Sequence, residues 1–316
     1  MSNPRKRRTS VGEKAVDAIL NVERKVEHAL TCMWDDLQAW QKDNHYIIRG
    51  YRPESYSLYK CFASITYLHN ETINIYTHLL AAVYFLWLIP QLHSTIAPRY
   101  SSSTTDDITA FSTFFLSAVI CLGLSATYHT ICNHSLPVAK FGNQLDYLGI
   151  IVLIVGSYLP TLHYGFMCRR DLVWRYWSMM GVLGGMCAIV TLIPMFRTPA
   201  WRSFRATMFV FLGGSGFVPV LHGLSLYGWD ALNQRMGLSW CIIEGLLYVT
   251  GAVIYAMRVP EKFYPGRFDL VGASHQIFHC FVVAAALAHF EGLVVAFDFL
   301  HGTRGGVGCD IQWSGF

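Results

Sequence analysis

Two histidines four residues apart, His275 and His279, open the last long apolar segment of the chain. On a helix this spacing places both side chains on one face, about 6 Å apart along the axis. Two imidazoles arranged in this way can bind a single metal ion. Residues 280–288 carry no formal charge, so the pair lies at or just inside a membrane edge, where ionisable side chains are costly. Taken alone, the pair fits a metal site and two interfacial histidines equally well.

With the predicted spans given below, polar side chains from two further helices reach the same depth as this pair. Ser125 and His129, four residues apart, share a helix face at the end of the second span, and Asp146 lies about one turn into the third. Three histidines leave open the fourth position of a catalytic zinc site. A carboxylate can then act as general base, and a serine can hydrogen-bond water or a substrate carbonyl. Spacing alone also permits polar side chains that only face the bundle interior.

The composition is typical of a protein with several membrane spans. The chain has 316 residues, of which 53% are hydrophobic and 14% are charged, whereas soluble proteins carry roughly 25% charged residues. Nine cysteines occur singly, without the Cys-x-x-Cys pairs of a cysteine-type zinc site and without a disulfide framework. The basic cluster at 5–8 has no apolar segment directly behind it, which is not the pattern of a cleavable signal peptide.

Seven apolar segments are each about 20 residues long, which is enough to cross the hydrocarbon core of a membrane as a helix. They lie at 73–92, 109–131, 143–163, 173–193, 204–226, 238–257 and 275–297. The sequence therefore predicts an all-α membrane protein, a seven-transmembrane helix bundle whose domain occupies 73–297. Basic residues ahead of the first span favour a cytosolic N-terminus and, with seven spans, a C-terminus outside.

The segments that flank the bundle have other patterns. Residues 1–10 are polar and basic and are predicted to be disordered. Apolar residues recur in steps of three and four from Val11 to Trp40, which predicts a cytosolic amphipathic helix within a segment at 11–72 that ends in an irregular lead-in. Residues 298–316 are rich in glycine and are predicted to form a flexible tail.

Other ionisable residues lie within the predicted spans. His289 shares a helix face with His275, but lies about 21 Å further along the helix and cannot share its ion. His78, with Glu71 and Asn74, lies near the inner end of the first span, where these residues could help to close the site. Polar residues that face the bundle interior are the simpler explanation for the whole set: His78, His163, His222, Glu244, His289 and Glu291.

Four stretches and one residue together match a known family: 40–53, 71–79, 125–129, 266–279 and Asp146. On these residues the chain resembles the seven-span progestin and adipoQ receptor family, also called haemolysin III-related. Within that family it is most similar to the adiponectin receptors and their fungal relatives. The resemblance extends from about residue 34 to 297 and excludes the N-terminal 30 residues and the glycine-rich tail.

The resemblance implies a zinc ion bound by His129, His275 and His279, and a water-mediated role for Asp146 with Ser125 close by. All five positions keep the family's residue type. The wider superfamily includes alkaline ceramidases with the same pattern, so the resemblance implies hydrolysis of ceramide-type amides to sphingosine and a fatty acid. Fungal relatives are linked to lipid and zinc homeostasis and to sensing of an external plant defence protein.

These implications define the expected partners and location. The partners are membrane lipids such as ceramide or a fatty acid, with an extracellular protein ligand and no nucleic acid. The location is an integral multi-pass position in the plasma membrane or in an endomembrane such as the endoplasmic reticulum or vacuole. Three functions are compatible with a zinc site of this kind: a zinc-dependent lipid hydrolase, a receptor with structural zinc, and a zinc transporter. Transport is the weakest, because the outer residues His163, His222 and Glu244 are too sparse to form a ligand pathway.

Overall fold

The fold is known from a computed structural model, which describes residues 30–197 and 201–302. Within these ranges the secondary structure is helical, and pairing between extended segments is limited to one bridge between Cys32 and Tyr51. The helices are α1 (Leu58–Ala63), α2 (Thr72–Gln91), α3 (Thr105–Ile131), α4 (Leu136–Gly165), α5 (Arg170–Leu192), α6 (Arg202–Gly214), α7 (Phe217–Met236), α8 (Leu238–Met257) and α9 (Ser274–Gly302).

Six helical stretches in the described ranges are long and apolar enough to cross a membrane: α2, α3, α4, a stretch at Thr207–Met236 that joins α6 to α7, α8 and α9. They coincide with six of the seven predicted spans. Helix α5 occupies the position of the fourth predicted span but is less apolar, because Arg170, Asp171 and Arg175 lie in its first two turns. The predicted all-α bundle of a multi-pass membrane protein is confirmed, whereas its orientation across the membrane stays a prediction.

Several helices extend beyond the predicted spans: α3 begins four residues earlier, and α7 ends at Met236 rather than at 226. Helix α4 begins at Leu136 rather than at 143, with Pro137 in its first turn, where a missing N–H has no cost. Asp146 therefore lies well inside this helix and not at its start. Helix α9 continues past the predicted boundary at 297 as far as Gly302, because Leu300 and His301 are buried against the bundle.

The predicted amphipathic helix is wrong over its last part. Residues 31–41 form two short 3-10 turns, Trp34–Asp36 and Ala39–Gln41, rather than an α-helix. Their backbone groups bond across to the following segment instead of within a helix: Cys32 donates to the carbonyl of Tyr51 at 2.7 Å, and Trp34 to that of Ile48 at 2.8 Å. The rest of this helix, the predicted disordered segment at 1–10 and most of the predicted tail lie outside the described residues.

An aromatic core lies between α2, α3 and α9. Its phenylalanines have no solvent-exposed surface and pack edge to face or tilted against one another: Phe85, Phe111, Phe114, Phe115 and Phe297. Large apolar side chains such as Leu80, Val210 and Leu246 are instead exposed on the outside of the bundle. This distribution is expected for helices that face lipid.

Helices α3 and α4 approach closely along a line of glycines at seven-residue intervals on α4: Gly142, Gly149 and Gly156. A Cβ atom at Gly149 would lie 3.0 Å from the Cα of Cys121, and one at Gly156 would lie 1.8 Å from Oγ of Ser117. Small residues of this kind let helix backbones meet inside a membrane. We call this line the glycine seam. It brings Asp146 of α4 beside Ser125 of α3.

Replacing Gly149 by Leu is expected to destabilise the bundle, because the side chain would push the α3 backbone away. Overpacking of a close interface costs about 1–3 kcal/mol. Gly245→Leu is the matched control, since a Cβ atom at that exposed position of α8 meets nothing within 4 Å. Thermal unfolding of the purified protein in detergent should show a lower Tm for Gly149→Leu alone. Equal Tm values for the two variants would contradict the close packing of α3 and α4.

Candidate metal centre

The structure brings together His129 at the end of α3 with His275 and His279 in the first turns of α9. One ring nitrogen from each lies within 4.8 Å of the others, and among the described residues these three form the single group that could hold a metal ion. The Nε2 atoms of His129 and His275 are 3.3 Å apart. His129 and His279 are buried, and His275 is half-buried. We call these residues the histidine group.

Hydrogen bonds on the far side of two rings determine where their protons lie. Nδ1 of His129 is 2.7 Å from Oε2 of Glu71, and Nδ1 of His279 is 3.1 Å from the carbonyl oxygen of Asn74. A carboxylate or carbonyl oxygen can only accept, so each Nδ1 carries the hydrogen and each Nε2 presents a lone pair. The lone pair of His129 therefore faces another ring nitrogen. A cation between the rings would accept this lone pair and those of the neighbouring rings, so the donor set fits a metal ion of the zinc type.

Glu71 lies immediately before α2. Burial acts to raise its pKa, but His129 and the amide group of Asn74 outweigh burial and hold the pKa below its usual range. The amide nitrogen of Asn74 donates to Oε2 of Glu71 at 2.6 Å. One turn further on, the ring of His78 stacks on that of His279, with centroids 3.8 Å apart and planes 10° apart. The sequence placed these three residues near the site, but did not indicate that they contact its histidines.

Ser125 and Asp146 lie beside the histidine group without joining it. Ser125 is buried one turn before His129 on α3. The carboxyl group of Asp146 interacts with the hydroxyl group of Ser125 and with His129 across the glycine seam. A carboxyl group and a hydroxyl group next to the three imidazoles could hold and move a proton at this position. The structure therefore places all five predicted site residues together.

The end of α3 is held by Arg52, whose guanidinium group is buried. It donates to the carbonyl oxygens of His129 at 2.6 Å and Thr130 at 2.8 Å, and to Oγ of Ser64 at 2.7 Å. A cation at the C-terminal end of a helix satisfies free carbonyl groups and the helix dipole. Arg52 belongs to one of the matching stretches of the sequence, but its contact with His129 spans 77 residues and has no local sequence signal.

The start of α9 is held by Glu261, which is fully buried in the loop before it. Its carboxylate accepts hydrogen bonds from the backbone N–H of Ser274 at 2.8 Å and from the Ser274 hydroxyl group. It also accepts one from the side-chain amide of Asn44 at 3.1 Å. An anion at a helix N-terminus satisfies free N–H groups and the helix dipole. Sequence reasoning missed Glu261, because it lies in an irregular loop with no periodicity.

The remaining ionisable residues of the spans make contacts elsewhere. Nδ1 of His289 is 2.9 Å from Oε2 of Glu244, and Nδ1 of His222 is 2.6 Å from the Tyr176 hydroxyl group. Neither pair touches the histidine group. Among the described residues, side chains close enough to share a metal ion therefore occur at one level of the bundle.

Known proteins match most of this chain. A family model described as Haemolysin-III related matches residues 66–290, which include Glu71 and all five predicted site residues. The "Adiponectin receptor protein" of Drosophila melanogaster is 41% identical over 262 residues, which cover 83% of this chain. The chain spans 58% of the length of that fly protein.

Two further relatives are covered over most of their own length. The "ADIPOR-like receptor IZH2" of Saccharomyces cerevisiae is 41% identical over 268 residues, 85% of this chain and 84% of the yeast protein. The "Heptahelical transmembrane protein 3" of Arabidopsis thaliana is 34% identical over 301 residues, 84% of this chain and 87% of the plant protein. With its membrane helices and its histidine group, the chain belongs to the haemolysin-III related family, as an adiponectin-receptor-like member of the progestin and adipoQ receptors.

Proposed function

We propose that this protein is a zinc-dependent hydrolase that cleaves lipid amides of the ceramide type within the membrane. The observation that carries the proposal is the position of Asp146 and Ser125 beside the histidine group. A zinc ion that only ties helices together needs its ligands and their supports. It does not need the carboxyl group of Asp146, on a third helix, and the hydroxyl group of Ser125 at the same point.

The fit of the donor set supports zinc as the metal. His129, His275 and His279 would hold it, with the Nε2 atoms of His129 and His279 presenting lone pairs and their Nδ1 atoms bonded to acceptors. Three imidazoles leave a fourth position for water or substrate. When bound there, zinc would supply Lewis acidity toward a carbonyl oxygen and would lower the pKa of a water molecule to about 7.

The chain's own residues would handle the protons. Asp146 accepts the proton of the attacking water as the new carbon–oxygen bond forms. It then returns that proton to the amide nitrogen, which leaves as the amine when the carbon–nitrogen bond breaks. The hydroxyl group of Ser125 interacts with the carboxyl group of Asp146 and would fix its direction. The products are a sphingoid base and a fatty acid, which leave through the lipid that surrounds the bundle.

A receptor with structural zinc is the second candidate, favoured by the names of the fly and yeast relatives. In that case an extracellular protein ligand would change the packing of the bundle, and zinc would hold the end of α3 against the start of α9. Such a receptor would act in lipid and zinc homeostasis at the plasma membrane or an endomembrane. The two candidates are compatible, because a receptor can signal through the lipid that it releases.

His275→Ala is expected to abolish zinc binding, because it removes one of three ligands. His289→Ala is the matched control, since it removes another histidine of α9 that pairs with Glu244 outside the histidine group. Metal analysis of the purified proteins should give about one zinc ion per chain for the wild type and for His289→Ala. Zinc retained by His275→Ala at the wild-type level would contradict the proposed ligand set.

Asp146→Asn is expected to keep zinc and to lose hydrolysis, because an amide cannot accept the water proton. Loss of a general base lowers the rate by about 10²–10⁴-fold. Lipid mass spectrometry of fatty acid released from ceramide in mixed micelles measures this rate. Asp298→Asn, at the far end of α9, is the control and should keep the wild-type rate.

The same experiment separates the two candidate functions. An unchanged rate for Asp146→Asn would rule out the proposed mechanism. Zinc-dependent thermal stability of the wild type without lipid product in any condition would favour the receptor with structural zinc.

A further inference from the structure

Glu71, immediately before α2, and Asn74, in the first turn of α2, contact two of the three histidines on the side that faces away from the candidate metal position. Oε2 of Glu71 is 2.7 Å from Nδ1 of His129, and the carbonyl oxygen of Asn74 is 3.1 Å from Nδ1 of His279. The side chain of Asn74 donates back to Oε2 of Glu71 at 2.6 Å. The two residues thus lie within one turn at the start of α2, and the side-chain amide of Asn74 donates to the carboxylate of Glu71.

We infer that Glu71 is a positioning residue of the metal centre, and that this turn of α2 sets the tautomer and direction of two ligands. The inference rests on the proposed zinc site and deepens it. By holding the hydrogen of His129 on Nδ1, Glu71 leaves the Nε2 lone pair directed at His275 and away from α2. Asn74 does the same for His279 through its backbone, so a side-chain substitution at Asn74 leaves that bond in place.

Glu71 is not a fourth ligand in this geometry. It meets His129 at Nδ1, whereas Nε2 of the same ring is the atom 3.3 Å from His275. The imidazole therefore stands between the carboxylate and the candidate metal position. This leaves the fourth position to water or substrate, as the proposed chemistry requires.

The negative charge of Glu71 would also partly balance the charge of a bound divalent ion. Three neutral imidazoles leave a divalent ion with its full charge at a membrane edge, where an unbalanced charge is costly. A carboxylate bonded through the His129 ring lowers this cost and makes the ring a better electron donor. Arg52 is the nearby cation, and it is turned away from the rings toward the carbonyl oxygens at the end of α3. It therefore does not cancel the bond between Glu71 and His129.

The test compares zinc affinity between purified full-length variants by competition with a chelator. Glu71→Ala should bind zinc about 10–100-fold more weakly than the wild type, the usual effect of losing a carboxylate behind a histidine ligand. Glu71→Gln should fall between the two, because its amide oxygen accepts the same bond without the charge. Glu244→Gln is the matched control: it changes the other carboxylate–histidine pair, that with His289, and should keep wild-type affinity.

A second readout distinguishes positioning from a role in folding alone. The visible absorption of the cobalt-loaded protein reports ligand geometry and should change in Glu71→Ala but not in Glu244→Gln. A residue that only joins α2 to α3 would lower the Tm of the zinc-free protein and leave affinity and spectrum as they are, which would overturn the inference. If Glu71→Ala does not fold, Glu71→Gln decides: affinity within twofold of the wild type and an unchanged spectrum overturn the inference.

The outcomes separate this inference from the proposed function. A wild-type protein that binds no zinc would contradict both the positioning role of Glu71 and the proposed hydrolase. If the wild type binds zinc and a folded Glu71→Ala variant binds it with an affinity within twofold, the positioning role of Glu71 is wrong and the zinc site itself is unaffected. Graded weakening from wild type through Glu71→Gln to Glu71→Ala, with Glu244→Gln unchanged, supports the inference.

Discussion

The metal centre depends on how two helix ends are satisfied. Helix α3 ends, and α9 begins, where the histidines lie, and the free carbonyl and N–H groups of helix ends need partners wherever water is scarce. Arg52 supplies the donors for α3 and Glu261 supplies the acceptor for α9. The side chains that satisfy these ends also fix the backbone that carries His129 and His275. The same hydrogen bonds thus stabilise the helix ends and fix the geometry of the site.

The membrane helices and the meeting of the five site residues were predictable from the sequence, because both follow from hydropathy and short spacings. The apolar segments predicted the membrane helices. The four-residue steps from Ser125 to His129 and from His275 to His279 predicted that each pair shares a helix face. Asp146 lies beside Ser125 and His129 as expected, even though α4 begins seven residues earlier than predicted, since a helix can begin in polar residues before it enters lipid. Periodicity cannot distinguish those two boundaries.

The misses are contacts between residues that are far apart in the chain. Arg52 reaches His129 across 77 residues, and Asn44 reaches Glu261 across 217. The segment at 31–41 has helical periodicity, yet it bonds to residues 48–51, which a local pattern cannot reveal. The bond between Glu71 and His129 is of the same kind. Both residues were noted in the sequence, but only the packing of α2 on α3 makes the carboxylate a partner of the ring.

Two carboxyl groups flank His129, and their surroundings differ. Glu71 is engaged by His129 and Asn74 and keeps its charge, whereas Asp146 is held by a serine hydroxyl group at the glycine seam. A carboxylate that accepts hydrogen bonds from both His129 and Asn74 is suited to holding a ring, whereas one beside a serine hydroxyl group is suited to exchanging a proton. The same residue type thus supports two tasks within one site.

The contact between Arg52 and the carbonyl oxygen of His129 has a genetic consequence. The lead-in segment that contains Arg52 is far from every histidine of the group in sequence, and Arg52 touches none of their rings. A substitution there would nevertheless release the last turn of α3 and let His129 drift. In a screen for loss of the metal centre, variants of this segment would therefore fall into the same phenotypic class as variants of the ligands themselves.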